Sequence, residues 1–206
     1  MKKLLFALLF GVSFAHAQNT EPVAERGAYY LTSEIGGGNY GGFNIHLNYI
    51  TPENVSIKFG ASSLRAQQYK EVPDDFNYGG AVNVLFLGLG TLTEDTETYS
   101  ISVGKVFPLN QRGTIRANLS AGLGYSIFTV AENFTKKDGL FYLDSNYTWE
   151  KKDYDMVSLI INPKLEFPFT RYVGLTLSPE LTINEKRVYY GAGLGLMVGL
   201  LRDKNH

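Results

Sequence analysis

The chain lacks cysteine altogether, and it contains only three histidines in 206 residues. Without a thiol it has no means to form a disulfide, a thiolate metal site or a lipid-modified N-terminal cysteine. Beyond the N-terminal segment the histidines are His46 and the terminal His206. An imidazole-based metal site would lack the partners it needs, so we expect no metal and no other cofactor.

An excess of one charge sign is also missing, because 19 Lys and Arg balance 20 Asp and Glu for a net charge of -1. No extended positive field is therefore expected, and nucleic acid is not an expected partner. After the N-terminal segment, no apolar run reaches the roughly 18 residues that a membrane-spanning helix needs. The lack of such a run excludes a helical membrane protein.

The N-terminal segment has the features of an export signal. Lys2 and Lys3 precede an apolar run, and Ala15 and Ala17 have the spacing of small residues that a signal peptidase accepts. The run is too short to cross ~30 Å of hydrocarbon as a stable helix. We therefore predict an exported protein whose segments are, in order, a cleaved signal peptide (1–17), a short periplasmic leader (18–26), a β domain (27–201) and a polar tail (202–206).

Aromatic residues and glycine are abundant. The chain contains 14 Tyr, 13 Phe and 22 Gly. This balance is typical of a β protein whose aromatic rings face a membrane interface. Composition alone leaves a periplasmic β sandwich possible, so the pattern along the chain has to decide.

Apolar and polar residues alternate with a period of two in eight blocks, which predicts eight strands. In chain order the blocks cover 28–36, 43–50, 55–62, 98–107, 114–129, 157–167, 173–183 and 188–200. Connections between the second and third, fourth and fifth, and sixth and seventh blocks are short and contain Pro or Gly. Those over 63–97 and 130–156 are long. Short turns at one end and long loops at the other predict an all-β, eight-stranded antiparallel up-and-down transmembrane β-barrel.

The two long loops leave one alternative open. Segment 81–89 is apolar enough to be a strand, and it would need a partner near 140–149, which would make ten strands in place of eight. The pairs Lys136-Lys137 and Lys151-Lys152 fall in the second long loop, where they are either solvated charges or contacts for lipopolysaccharide phosphates.

The polar faces of the blocks predict the interior of the barrel. They carry charges of both signs among Gly, Ser, Thr and Asn, and polar groups in a narrow lumen must satisfy one another. We predict a lumen charge network formed by Glu34, His46, Lys58, Arg116, Lys164, Glu166 and Glu180. The glycines on one face of the last block would make room for long side chains opposite them.

With its eight alternating blocks, unequal connections and Gly-rich last block, the chain resembles the small outer-membrane β-barrels of the OmpX, OmpA N-terminal and opacity-protein type over about 27–200. The resemblance implies a monomer in the bacterial outer membrane. It also implies contacts with outer-membrane lipid and lipopolysaccharide, insertion by the outer-membrane assembly machinery, and loops that bind an extracellular ligand. Such barrels usually end on an aromatic residue, whereas this chain continues into 202–206. Either the tail is an overhang or the insertion signal is read within 195–201.

We predict a structural or surface-interaction role, with a mostly closed lumen and no enzymatic activity. A narrow pore for small solutes is the first alternative, and a lipid A-modifying enzyme is the second. Lipid A deacylases of this architecture show His-x-Ser on one strand, but here the sequence is His46-Leu47-Asn48 and the nucleophile is missing. We therefore assign no catalytic residue.

Overall fold

The computed structural model describes residues 27–68, 70–77, 92–110, 113–138 and 145–202. The predicted signal peptide, the leader, segment 81–89 and the end of the tail lie outside these ranges. Within them, no helix is long and apolar enough to cross a membrane.

The described residues form nine strand segments in one sheet. They are β1 (Ala28–Gly38), β2 (Gly41–Ile50), β3 (Val55–Gln67), β4 (Thr93–Pro108), β5 (Arg116–Lys136), β6 (Tyr147–Ile161), β7 (Lys164–Phe167), β8 (Val173–Ile183) and β9 (Val188–Leu200). All neighbours are antiparallel, and β1 pairs with β9 to close the ring. Segments β6 and β7 both lie between β5 and β8, so they are two parts of one wall strand, interrupted at Asn162 and Pro163.

The ring therefore has eight wall strands, as the sequence predicts. The ten-strand alternative is wrong, because β3 pairs directly with β4 and β5 pairs directly with β6. This pairing leaves no place in the wall for an additional strand from either long connection.

Four strands are longer at the extracellular end than the sequence predicts. At this end β3 extends to Gln67 and β5 to Lys136, while β4 begins at Thr93 and β6 at Tyr147. Their backbone pairing continues where the outer face meets water. There the outward positions become polar while inward positions include the apolar Leu64, Ala66 and Val130, so the pattern of an apolar outer face and a polar inner face ends. Lys136, Lys151 and Lys152, predicted to lie in a loop, therefore belong to β5 and β6.

The barrel has its apolar side chains outside. On β2 the outward Phe43 and Leu47 are 42% and 56% exposed, whereas the inward Asn44, His46 and Asn48 are buried. The same division holds around the ring, so the exposed apolar side chains form a continuous belt. A soluble monomer rarely exposes such a large apolar surface, and lipid is the solvent that suits it. The chain is a membrane-spanning β-barrel.

Aromatic side chains mark both edges of this belt. Tyr29 and Tyr49 stack at the end that carries the short turns, with ring centroids 4.4 Å apart. Tyr99 and Tyr125 are cross-strand neighbours toward the opposite end, and both are at least half exposed. Amphipathic rings at these two levels are typical of the interfaces between membrane and water.

Candidate functional site in the barrel lumen

The predicted lumen residues all face the interior, and all are buried. Glu34, His46, Lys58, Arg116, Lys164, Glu166 and Glu180 occupy different levels along the barrel. The structure joins them only in part: it forms two ion pairs, places His46 beside one of them, and surrounds the other two residues with neutral partners.

The ion pair nearest the periplasmic end is Arg116 with Glu166. These residues are cross-strand neighbours on β5 and β7, and Arg116 Nε lies 2.6 Å from Glu166 Oε2. Tyr30 Oη and Asn118 Nδ2 donate to Glu166 Oε1 over 2.8 and 3.1 Å. Arg116 Nη1 donates to the Leu201 carbonyl over 2.8 Å, and the guanidinium lies over the Tyr30 ring. These contacts replace water at both Glu166 oxygens and at Arg116 Nε and Nη1, whereas Arg116 Nη2 is buried without a hydrogen bond among the described residues.

The second ion pair crosses the lumen from β7 to β1. Lys164 Nζ donates to the Glu34 carboxylate, and it also lies 3.3 Å from Thr32 Oγ1 and from His46 Nδ1. An ammonium has donors only, so His46 Nδ1 accepts. Gly195 faces Glu34 from β9, and a Cβ there would lie 2.5 Å from Glu34 Cγ. The glycine therefore makes the room that the sequence predicts for a long side chain.

Lys58 and Glu180 depend on neutral groups. Lys58 Nζ donates to Asn162 Oδ1 over 2.9 Å and to the Asn162 carbonyl over 3.1 Å. The strand break before Pro163 directs this carbonyl toward the lumen, where it also accepts from Ser120 Oγ. Glu180 accepts from Asn44 Nδ2 over 2.6 Å and from Thr182 Oγ1 over 3.1 Å.

Apolar clusters lie at both ends of this polar interior, and they were not predicted from the sequence. The periplasmic cluster consists of Ala28, Tyr30, Ile50, Val106, Met197 and Leu201. One extracellular cluster consists of Tyr40, Leu64, Ala66 and Tyr189, and another of Phe128, Val130 and Met156. The available signal was a large apolar residue at an inward position near a strand end, such as Met197 among the inward glycines of β9.

An ion pair spans the extracellular mouth. Arg187, in the turn between β8 and β9, has Nε 2.6 Å from Glu94 Oε1 on β4. Its Nη2 donates to the Gln67 carbonyl on β3 over 3.0 Å. One side chain therefore ties a turn to the opposite wall.

Part of the first long loop docks on the extracellular end of β5 and β6. Asp75 accepts from Lys136 Nζ over 2.5 Å and from Tyr147 Oη over 2.6 Å. These hydrogen bonds, from Lys136 first and Tyr147 second, lower the pKa of Asp75. Phe76 packs against the rings of Tyr147 and Trp149 at 6.1 and 5.8 Å. Segment 70–77 is therefore held against the ends of β5 and β6.

No protein-family model matches the chain, and no curated protein matches it in sequence. Among solved structures, it is similar to a major outer membrane protein from Thermus thermophilus, with 12% identity, a TM-score of 0.56, and coverage of 83% of this chain and 99% of that one. It is also similar to the N-terminal β-barrel domain of Pseudomonas aeruginosa OprF, with 13% identity, a TM-score of 0.48, and coverage of 84% and 96%. Yersinia pestis Ail, the attachment invasion locus protein, shows 14% identity, a TM-score of 0.48, and coverage of 85% and 98%.

The likeness to the Thermus structure establishes the fold. The chain is built as a small outer-membrane β-barrel. A closed barrel of this size with a lipid-facing belt, aromatic edges and a polar interior is the design of outer-membrane proteins. The protein is therefore an integral outer-membrane protein.

Proposed function

We propose that the protein is a structural or surface-interaction barrel, with a lumen closed to most solutes and an activity carried by its extracellular end. The observation that supports a closed lumen is its filling: two buried ion pairs lie between apolar clusters at the two ends. A passing solute would have to separate these pairs, and leaving one buried charge without its partner costs about 3–5 kcal/mol.

The extracellular mouth adds a second obstruction. Tyr40 and Tyr189 pack edge to face with ring centroids 6.0 Å apart, and Tyr189 Oη lies 2.7 Å from Thr96 Oγ1. Above them, Arg187 is held by Glu94. Opening the mouth would require these side chains to move together.

The extended ends of β3 to β6 and the docked loop support the interaction role. They place polar and aromatic side chains beyond the belt on a hydrogen-bonded framework, where an extracellular ligand would meet a preformed surface. Because β1 pairs with β9, the ring has no end strand at which a second copy would continue the sheet, so we propose a monomer surrounded by lipid and lipopolysaccharide. We further propose that the assembly machinery reads β9 within 195–201.

The same proposal assigns no enzymatic step. His46 faces the lumen between Asn44 and Asn48, and its Nδ1 contacts Lys164. A lipid ester outside the wall would not reach this ring, and neither flanking residue offers a nucleophile. A lipid A-modifying activity through His46 therefore has no support in this geometry.

Two measurements test this function. The protein should fractionate with outer membranes and migrate faster on a gel unheated than boiled. In planar bilayers it should show no steady conductance under conditions in which a general porin conducts. Recovery from the soluble periplasm would refute the membrane barrel, whereas a stable open channel would refute the closed lumen and favour the narrow pore.

A further inference from the structure

We propose that the lumen binds an alkali metal ion on the extracellular side of the Lys164–Glu34 pair. The ion is held by four buried side chains that each offer oxygen: Glu34, Asn44, Glu180 and Tyr40. This site goes beyond the proposed function, because it lies inside the barrel and involves no extracellular ligand. It also differs from the metal sites that the sequence excludes, since its ligands are oxygens and not thiolates or imidazoles.

Three of these side chains have a buried oxygen atom that no donor reaches. Lys164 donates to Glu34 Oε1, and Asn44 donates to Glu180 through Nδ2. Glu34 Oε2 and Asn44 Oδ1 remain buried without a partner among the described residues, and so does Tyr40 Oη. Buried polar atoms without partners are rare and costly, so these three atoms point to a ligand that offers positive charge or hydrogen-bond donors.

The four side chains are neighbours in the lumen. Glu34 and Asn44 are cross-strand partners on β1 and β2, and Asn44 Nδ2 lies 2.6 Å from Glu180 Oε2. Glu180 faces Gly191 on β9, and a Cβ at Gly191 would lie 3.0 Å from Tyr40 Cε1. The charges of Glu34 and Glu180 act on each other and on the Tyr40 hydroxyl. An ion between the two carboxylates therefore meets oxygen atoms from three strands and from the turn between β1 and β2.

The charges at this site favour one monovalent cation. Glu34 and Glu180 repel each other, whereas Lys164 forms an ion pair with only one of them. Lys58 does not supply the second pair, because its ammonium group donates to Asn162. Buried charges are normally paired or bound to a metal ion, and carboxylate, amide and phenol oxygens are hard ligands that suit an alkali ion. A divalent ion fits less well, because no group of three or more His, Cys, Asp or Glu side chains in the described part of the chain is arranged to hold one.

Two inward glycines leave room beside these ligands. The three nearest atoms that a Cβ at Gly36 would meet are backbone atoms of Ala192 and Gly193, the closest of them 3.3 Å away. A Cβ at Gly193 would lie 3.7 Å from Glu34 Cβ, and its two closer neighbours would be backbone atoms of β1. Neither set of nearest atoms includes a side chain from the opposite wall. Space therefore remains beside Glu34, on the side of the lumen that carries Tyr40.

Unfolding in different salts tests the inference. The full barrel would be refolded in detergent at equal ionic strength with sodium chloride, potassium chloride or N-methylglucamine chloride, whose cation is too bulky for the lumen. At least one alkali ion should raise the midpoint of thermal unfolding, followed by circular dichroism, by roughly 3–6 °C relative to N-methylglucamine. This shift is expected for a ligand at about ten times its dissociation constant. The same midpoint in all three salts would overturn the inference and would leave water as the partner of the three oxygens.

Thallium gives a direct readout, because Tl⁺ replaces alkali ions and scatters X-rays anomalously. Crystals of the barrel grown with thallium acetate should show an anomalous peak between Glu34 and Glu180. Anomalous density that is absent from this part of the lumen would contradict the site.

Variants separate the site from the general effect of lumen charge. Glu180→Gln should abolish the shift in midpoint, because it removes the carboxylate that has no ion pair. Tyr40→Phe should reduce the shift while it keeps the ring contact with Tyr189. Glu166→Gln is the matched control: it also removes a buried lumen carboxylate, but one that Arg116 binds, so it should lower the midpoint in every salt and keep the shift. An undiminished shift in Glu180→Gln, or its loss in Glu166→Gln as well, would overturn the inference. If Glu180→Gln did not refold, the Tyr40→Phe and thallium results would decide.

Discussion

Arg116 and Glu166 face each other across β5 and β7 as a fully buried pair, with Nε 2.6 Å from Oε2. Arg116→Ala should lower the free energy of unfolding by about 3–5 kcal/mol, because Glu166 would keep its charge without a partner. Arg65→Ala is the matched control: Arg65 pairs with Asp95 but its side chain is 68% exposed, so we expect less than about 1 kcal/mol. Lys137→Ala in the loop should also have little effect. Urea unfolding in detergent micelles measures all three.

A double substitution separates the charge from the packing at this position. Arg116→Met with Glu166→Gln should be less destabilising than Arg116→Ala alone, because no uncompensated charge remains. If Arg116→Ala and Arg65→Ala proved equally mild, the interior would have to be open to bulk water. That result would also favour the pore.

Gly195 provides a test of how tightly the lumen is packed. A Cβ at this position would lie 2.5 Å from Glu34 Cγ and 2.5 Å from the Ser33 carbonyl oxygen. Gly195→Ala should therefore displace the Glu34 side chain and the adjacent backbone and cost about 1–3 kcal/mol. Gly41→Ala is the control, because a Cβ at Gly41 would have no heavy atom within 4 Å outside its chain neighbours. Equal stability of the two variants in urea would contradict the close packing.

The wall strands of the barrel were predictable because the two sides of the wall face different environments, which impose the alternation of apolar and polar residues. Lipid outside and a narrow lumen inside force the alternation of Leu47 with His46 and Asn48, and the register follows from it. Above the membrane this constraint ends. Asp95, Thr129 and Asp153 are polar on the outer face, whereas inward positions such as Phe128 and Val130 are apolar. The extra length of β4, β5 and β6 therefore does not continue the apolar-out, polar-in alternation of the wall.

Which residues face the lumen was easier to predict than which of them pair with one another. The pairing of Lys164 with Glu34 depends on how far the strands are staggered around the ring, and sequence spacing does not contain that quantity. Lys58 meets Asn162 because the wall strand breaks at Pro163. Proline cannot donate to a strand ladder, so this residue was the available signal for the break.

His46 allows a direct test of the prediction that the protein is not an enzyme. His46→Asn should leave the lipid A composition of the membrane unchanged, because the neighbouring Asn44 and Asn48 show that amides fit this face of the lumen. Mass spectrometry of lipid A from cells that overproduce the intact protein or the variant measures the outcome. A modification that appears with the intact protein and disappears with His46→Asn would show that the ring takes part in lipid chemistry.

The docking of the first long loop should depend on pH through Asp75. Hydrogen bonds from Lys136 and Tyr147 lower the pKa of Asp75 below its unfolded value of about 3.9. A carboxyl group with a lowered pKa stabilises the docked loop above the unfolded pKa, and this contribution is lost as the pH falls through the docked value. We therefore expect segment 70–77 to be protected from hydrogen exchange and proteolysis at neutral pH and to become progressively accessible as the pH falls from about 4 through the docked pKa of Asp75.

Asp75→Asn should expose the same segment already at pH 7, because it removes the charge that both donors bind. Asp74→Asn is the matched control, since it changes the neighbouring exposed carboxylate and leaves the contacts of Asp75 with Lys136 and Tyr147 in place. The barrel itself should keep its heat-dependent gel mobility in both variants, because the wall strands do not depend on this loop. If Asp75→Asn left segment 70–77 as protected as in the original chain, the aromatic contacts of Phe76 would be sufficient to dock the loop without the carboxylate.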